Sequence, residues 1–160
     1  MAKFYYALAI VLFGSAALAQ DAKLTGTWQG VQVCDDTYDG VAEPFVSEDQ
    51  IEISQRGDRL RLRRIIRGGE LALVYKGTVV SLASSDRFEA MASVCGGSYR
   101  AEEMLRLRNV SVDADGSGTF DGESLFATAD APSFPGVQIY GSCKWAYERV
   151  SSDDPHVPRC

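Results

Sequence analysis

Six of the 16 basic residues lie between positions 56 and 67, and their side chains are suited to recognising an anion. Alternate side chains of a β-strand point to the same side of a sheet, so Arg59, Arg61 and Arg63 are expected to share one face. Arg106 and Arg108 repeat this spacing later in the chain. Because guanidinium groups bind carboxylates and phosphates through paired hydrogen bonds, these arginines predict a surface for an anionic ligand, a polysaccharide or an acidic partner. The alternative is a solvated face on which neighbouring Glu and Asp neutralise the arginines.

A second group of polar side chains has the spacing of a calcium-binding loop. Segment 113–121 resembles the first nine positions of an EF-hand loop, with glycine at position six and oxygen donors at one, three, five and nine: Asp113, Asp115, Ser117 and Asp121. Position twelve is Ser124 instead of glutamate, and the flanking residues alternate as strands do. We therefore predict a hairpin turn with exposed aspartates, and weak calcium binding is the alternative.

The composition argues against a catalytic site. The chain has one histidine, His156, close to its C-terminus, which excludes most Ser-His-Asp, Cys-His and multi-histidine zinc designs. The excess of 22 acidic over 16 basic residues argues against nucleic-acid binding, which needs a basic footprint. We predict no enzymatic activity, no cofactor other than calcium at the loop, and an exposed His156.

Residues 1–19 have the organisation of a secretory signal peptide. Lys3 is followed by the apolar run 4–13, and Ala17 and Ala19 occupy the −3 and −1 positions of a cleavage site. Removal of Lys3 would change the net charge from −6 to −7. The apolar run is shorter than the roughly 20 residues of a membrane-spanning helix, so no membrane anchor is expected. The four cysteines are then predicted to form two disulfides, in the bacterial periplasm or outside the cell.

The remaining chain consists of short alternating runs separated by turn residues, which predicts an all-β fold of antiparallel strands. We expect seven to nine strands in a domain spanning 20–150, followed by a polar tail, 151–160. Loops are predicted at 35–47, which contains Gly40 and Pro44, and at 131–136. Hairpin connections favour an up-and-down barrel of about eight strands, because closure removes unpaired edges. A two-sheet sandwich is the alternative.

Gly26-Thr27-Trp28 in the first strand resembles the G-x-W start of lipocalin-like (calycin) barrels. In that family the tryptophan closes the barrel base and a late basic residue packs across it. The resemblance implies a base formed by Trp28, Trp145 and Arg149, with Arg149 stacked on the indole ring of Trp28. Avidin-like barrels begin with a similar Gly-Thr-Trp. Segment 24–34 is also similar to the opening of exported bacterial metalloprotease-inhibitor barrels.

Barrel closure would make the first and last strands antiparallel neighbours. If Gly26 pairs near Arg149, Cys34 falls close to position 141. The favoured disulfides are therefore Cys34–Cys143 and Cys95–Cys160, and the other two connectivities of four cysteines stay open.

An eight-stranded barrel encloses a lumen that side chains fill or that holds one small ligand. We therefore predict an exported, non-catalytic binding protein that takes a small apolar or anionic ligand in or at the mouth of the barrel. The alternative is a protein inhibitor or an envelope interaction module that uses loops and the arginine-rich strand face.

Overall fold

Eight antiparallel strands close into a barrel in the computed structural model, which describes residues 24–38, 41–66, 71–81, 88–97, 101–131 and 134–160. Each strand pairs with the next, and the last pairs with the first: β1 Gly26–Tyr38, β2 Val41–Arg56, β3 Arg59–Ile66, β4 Leu71–Ser81, β5 Phe88–Gly97, β6 Ala101–Val112, β7 Gly118–Ala131 and β8 Phe134–Ser151. The predicted all-β, up-and-down barrel is confirmed. The predicted signal segment 1–19 lies outside the described residues. No helix in the described ranges is long and apolar enough to cross a membrane.

Both predicted loops are wrong, because strands continue through them. β1 extends to Tyr38 and β2 begins at Val41, so segment 35–47 is mostly a paired hairpin. β3 begins to pair with β2 only at Asp49, and within the described residues the first half of β2 pairs with β1 alone. This one-sided pairing accommodates Pro44, which has no N–H to donate to a second neighbour. Likewise, β7 runs to Ala131 and β8 begins at Phe134.

The turn between β2 and β3 joins the two strands of the hairpin that carries Arg56, Arg59 and Arg61. Gly57 and Asp58 connect Arg56 to Arg59, and Gly57 has a φ of 62°. A positive φ at the first position of a two-residue turn matches the right-handed twist of the strands, and glycine adopts it without a steric penalty. The hairpin turn therefore consists of Gly57 and Asp58.

Inward-facing side chains from all eight strands form one core. On β3, for example, Leu60, Leu62 and Ile66 are buried, and the intervening Arg59 and Arg61 are exposed. Full burial of one Leu or Ile side chain stabilises a fold by about 1.5–3 kcal/mol. The core residues are Leu24, Trp28, Cys34, Ile51, Ile53, Leu60, Leu62, Ile66, Leu73, Tyr75, Ala90, Ala92, Leu105, Leu107, Val110, Phe120, Cys143, Trp145 and Tyr147.

Trp28 is fully buried, and Arg149 stacks on its indole ring as the resemblance implied. The Arg149 guanidinium carbon lies 4.6 Å from the Trp28 ring centroid. The Phe120 ring packs against Trp28 in an edge arrangement, and the two ring centroids are 4.9 Å apart. The Trp28 Nε1–H donates to the Leu24 carbonyl at 2.9 Å. Burial lowers the pKa of Arg149. Arg149 therefore stabilises the base by a cation–π contact with Trp28.

The predicted disulfides are both confirmed. Cys34 and Cys143 face each other on β1 and β8 with their Cα atoms 4.0 Å apart, and Cys95 on β5 is joined to Cys160 at the end of the chain. The β1–β8 register differs from the predicted one by two residues, because Arg149 pairs with Trp28 and not with Gly26. Two disulfides are consistent with an oxidising environment.

Candidate functional site

A buried charged cluster lies in the barrel lumen around Arg64. The Arg64 Nε–H donates to Asp49 Oδ2 at 2.5 Å, and an Nη1–H donates to Glu103 Oε1 at 2.7 Å. Arg64 also donates through Nη2 to the Gln32 side-chain oxygen, and the Tyr75 hydroxyl donates to Glu103 Oε2 at 2.7 Å. We call Gln32, Asp49, Arg64, Tyr75 and Glu103 the lumen cluster. Four strands besides β3 thus contribute to one hydrogen-bond network.

Burial determines the electrostatics of the lumen cluster. Desolvation raises the pKa of Asp49, and Arg64 opposes that shift. Desolvation alone would lower the pKa of Arg64, but Glu103 and the other anionic neighbours raise it well above its usual value. Burial and then Glu103 raise the pKa of Tyr75, and burial and then Asp49 raise the pKa of Tyr147. The guanidinium therefore stays charged, and both phenols stay protonated at neutral pH.

Trp145 belongs beside the lumen cluster and not at the barrel base. It pairs in register with Gln32, four residues along β8 from Arg149, which corresponds to about 13 Å of strand. Its ring centroid lies 5.3 Å from the Arg64 guanidinium carbon. The implied place of Trp145 in the base with Trp28 and Arg149 is therefore wrong: alternation determines which face of β8 Trp145 occupies but not its position along the barrel axis. Among the described residues, Trp145 Nε1 and Ser124 Oγ are buried without a hydrogen-bond partner.

On the outer wall, the arginines of β6 are neutralised by glutamates on the two flanking strands. Arg106 lies 2.8 Å from Glu89 on β5 and 3.2 Å from Glu123 on β7, N to O. Arg108 approaches the same two carboxylates at 3.9 and 3.6 Å. Hydrogen bonds to Glu89 raise the pKa of Arg106. We call these four residues the β6 ion cluster, and its formal charge is zero.

The exposed cations of β2, β3 and β4 have a different environment. Arg56 lies directly opposite Arg59, and in the next row with the same orientation Arg61 lies opposite Lys76. Like charges directly opposite each other in a sheet are destabilising. In the part of the chain that the structure describes, no carboxylate lies within ion-pair distance of these four side chains.

The C-terminal tail, residues 152–160, forms the other wall of this basic region. With the four cations it encloses a groove of about 950 Å³ that is also lined by Asp154, His156 and Arg159. His156 is exposed as predicted, whereas Val157 in the same tail is buried. The Cys95–Cys160 disulfide fixes the end of the tail to β5. We call this surface the cationic groove and define it by Arg56, Arg59, Arg61, Lys76, His156 and Arg159.

The structure does not bring the five predicted binding arginines together. β4 and β5 separate β3 from β6, so Arg106 and Arg108 lie in a different region from Arg59 and Arg61. Arg63 shares the face of Arg59 and Arg61, but its Nε–H donates to Glu52 at 2.7 Å. Two of the predicted arginines therefore line the cationic groove, and the other three are neutralised by glutamates.

The predicted calcium loop is the β6–β7 hairpin turn. The Ser117 hydroxyl lies 2.7 Å from Asp115 and 3.2 Å from Asp113, and hydrogen bonds from Ser117 lower the pKa of Asp115. Asp121 lies apart on β7, where it accepts a hydrogen bond from Asn109 Nδ2 at 3.0 Å. Among the described residues, no group of three or more His, Cys, Asp or Glu is placed to hold a metal ion. Calcium binding stays a prediction that titration can test.

No protein-family model matches the chain, and no curated protein matches it. Sequence reasoning missed the lumen cluster, although Arg64 stands at a buried position of the alternating pattern of β3. It also missed Lys76, His156 and Arg159 as neighbours of the β3 arginines, because only strand register and the path of the tail bring them together.

Proposed function

We propose that this protein is an exported, non-catalytic binding protein that takes an anionic ligand in the cationic groove. The observation that carries the proposal is the pairing of cation with cation across β2, β3 and β4. Arg56 lies opposite Arg59, Arg61 lies opposite Lys76, and none of the four has a carboxylate partner among the described residues. A bound carboxylate or phosphate would remove the repulsion within each pair and gain charge-assisted hydrogen bonds.

Four other described arginines, on the barrel wall and in the lumen, support this assignment by contrast. Arg63, Arg64, Arg106 and Arg108 each have at least one glutamate or aspartate within 4 Å. The fold therefore supplies carboxylates to arginines elsewhere, even though the chain as a whole is acidic. The cationic groove is the region whose charge an external anion would complete.

The barrel interior gives less support to a carrier of a large ligand. Side chains from all eight strands pack into one core, and the lumen cluster occupies part of the same space. The lipocalin-like base around Trp28 and Arg149 serves this proposal as a rigid scaffold. The predicted signal segment and the two disulfides support export to the periplasm or the exterior.

Calorimetric titration of the folded, disulfide-bonded protein with poly-glutamate and with poly-galacturonate tests the proposal. At about 0.05 M salt, where screening is weak, we expect saturable binding by a protein whose net charge is negative. The double variant Arg59→Gln/Arg61→Gln should lose about tenfold or more in affinity, because two of the groove's guanidinium groups are removed.

The matched control is Arg106→Gln/Arg108→Gln, which removes the same two charges from the β6 ion cluster. We expect its affinity to stay within about twofold of the unmodified protein, since those arginines already contact carboxylates. Equal losses in the two double variants, or no binding of either polymer, would overturn the proposal.

A second candidate function is the retention of a small hydrogen-bonding molecule in the lumen. It is favoured by Trp145 Nε1 and Ser124 Oγ, two buried polar atoms without partners among the described residues. Such atoms usually contact an ordered water or a ligand. Native mass spectrometry of protein purified from its own host tests this candidate. A stoichiometric adduct that is lost in Trp145→Phe would support it, and a mass equal to that of the chain alone would exclude it.

A further inference from the structure

We propose that the cationic groove recognises an extended acidic segment of a partner protein, in which Glu or Asp recurs at every second position. The inference rests on the proposed function and adds to it the chemical class of the ligand. It follows from the spacing of the four cations on the strands and from the side chains that accompany them.

The four cations form two rows. Arg56 and Arg59 face each other in the first row, and Arg61 and Lys76 face each other in the second. Arg59 and Arg61 are two residues apart on β3, so the rows are separated by about 6.6–6.8 Å along the strand. The first row spans β2 and β3 and the second spans β3 and β4, so their midpoints are also offset sideways by one strand spacing, about 4.8 Å. One carboxylate seated between the two cations of a row would neutralise their mutual repulsion.

An extended peptide lying along β3 has the same repeat as Arg59 and Arg61. Every second side chain of such a peptide points to the same side, at intervals of about 6.6–6.8 Å. A segment with Glu at alternate positions therefore places one carboxylate at Arg59 and the next at Arg61, and each of these arginines belongs to one of the two rows. The next row of β3 ends the match, because Arg63 there is already neutralised by Glu52.

The remaining lining favours recognition by charge spacing. The other residues that the structure places along the groove are Ser54, Leu60, Gly77, Asp154, Pro155 and Val157. This lining has no Trp, Tyr or Phe, so the described groove lacks an aromatic face on which a sugar ring packs. β3 pairs with β2 on one side and β4 on the other, so a partner's main chain cannot join it as a new strand. Selectivity must therefore come from side-chain charges, as in the recognition of acidic motifs by arginine clusters.

The tail contributes two further cationic or ionisable side chains, His156 and Arg159, to the facing wall of the groove. The disulfide to Cys95 limits the movement of that wall. A peptide lying between the strands and the tail would thus have the strand cations on one side and Arg159 on the other, with Asp154 as the one carboxylate of the described lining. This arrangement suits a narrow, extended ligand better than a globular acidic surface, which the tail would hold away from the strands.

Two eight-residue peptides of identical composition test the inference. One alternates Ser and Glu, and the other repeats two Glu followed by two Ser, so that no two of its Glu residues are two positions apart. We expect the alternating peptide to bind the full disulfide-bonded protein about tenfold more tightly in calorimetric titration, because it alone places carboxylates over both rows in an extended form. Arg61→Gln should reduce this preference to less than about threefold, since it removes one cation of the second row. Arg106→Gln, the control, should leave the preference unchanged.

The other possible outcomes contradict either the inference alone or the proposed function as well. Equal affinity for the two peptides would overturn the inference and leave the proposed anion binding intact. Tighter binding of oligo-galacturonate than of the alternating peptide would also overturn it and identify a polysaccharide as the ligand. Failure of both peptides and of the saccharide to bind would contradict the proposed function together with the inference.

Discussion

The lumen cluster and the cationic groove lie on opposite sides of one strand, β3, and the arginines on the two sides have opposite electrostatic environments. Arg64 points inward and contacts Asp49, Glu103 and Gln32. Arg61 points outward, and its neighbour across the strand pair is the cation Lys76. The same residue type is therefore surrounded by acceptors on one side of the sheet and by a like charge on the other.

Solvation explains why both arrangements persist. An unpaired charge in the lumen would carry a large desolvation cost, so Arg64 requires carboxylates of its own. On the outer wall, water and salt screen Arg59 and Arg61, and two opposed cations cost only a fraction of 1 kcal/mol. The difference indicates that the inner arginine stabilises the fold and that the outer arginines are available to a ligand.

The largest expected effect is the loss of Arg64. Arg64→Leu leaves Asp49 and Glu103 buried without a cation, and we expect it to lower the free energy of unfolding by about 3–5 kcal/mol. The control is Arg63→Leu, which breaks a partly exposed ion pair with Glu52 and should cost about 0–1 kcal/mol. Urea denaturation at pH 7 measures both values. Similar losses in the two variants would contradict the assignment of a structural role to the inner side of β3.

Removal of each disulfide distinguishes the two regions next. Cys95→Ser/Cys160→Ser and Cys34→Ser/Cys143→Ser should each lower the free energy of unfolding by about 2–5 kcal/mol. Their effects on anion binding should differ, because the first pair holds the tail wall of the cationic groove and the second joins β1 to β8 in the core. We expect weaker binding of poly-glutamate in the first variant alone, measured by calorimetry below the unfolding temperature. Undiminished binding there would show that the tail is not part of the site.

The sequence predicted the side chains of the outer side of β3 better than it predicted those of the inner side. Alternation with Leu60 and Leu62 was sufficient to place Arg59 and Arg61 on one exposed face. The partners of these arginines were not predictable, since Lys76 and Arg159 reach the groove through strand register and the path of the tail. The barrel itself was predictable from alternating runs and turn residues, whereas strand ends were not, because Pro44 lies where β2 has one described neighbour.

The network around Arg64 illustrates the same limit inside the barrel. The sequence shows an arginine at an apolar position of β3, but its carboxylates lie 15 and 39 residues away along the chain. Closure of the barrel, rather than any local pattern, brings Glu103 on β6 to Arg64. Local alternation therefore predicts which side chains point inward, and tertiary pairing decides which of them meet.

Alkaline pH offers a third test of the inner region. Burial raises the pKa values of Tyr75 and Tyr147, so the folded protein retains phenol protons that the unfolded chain releases above about pH 10. The stabilising contribution is fully present below that pH and is lost as the pH rises further. We expect the free energy of unfolding to fall by about 1.4 kcal/mol per pH unit for each of the two tyrosines. Tyr147→Phe should reduce this slope in urea denaturation between pH 10 and 11, and an unchanged slope would show that Tyr147 ionises normally.

The smallest expected effect concerns the salt dependence of the two outer surfaces. In the cationic groove, screening weakens the repulsion between Arg56 and Arg59 and between Arg61 and Lys76, so added salt should stabilise this region. In the β6 ion cluster, screening weakens attraction, so added salt should destabilise it. Replacing arginines by glutamine in either region removes one of these two opposing contributions.

Arg59→Gln/Arg61→Gln should therefore raise the free energy of unfolding at low salt by about 0.2–1 kcal/mol, because it removes the like-charge repulsion in both rows. Arg106→Gln/Arg108→Gln should lower it by a similar amount. Urea denaturation at about 0.02 M and 0.5 M NaCl should show both differences shrinking at high salt, since the Debye length falls from about 20 Å to about 4 Å and screening becomes stronger. A loss of stability in the first variant would mean that Arg59 and Arg61 already contact anions within the chain. The cationic groove would then resemble the β6 ion cluster, and the argument for an external anion would fail.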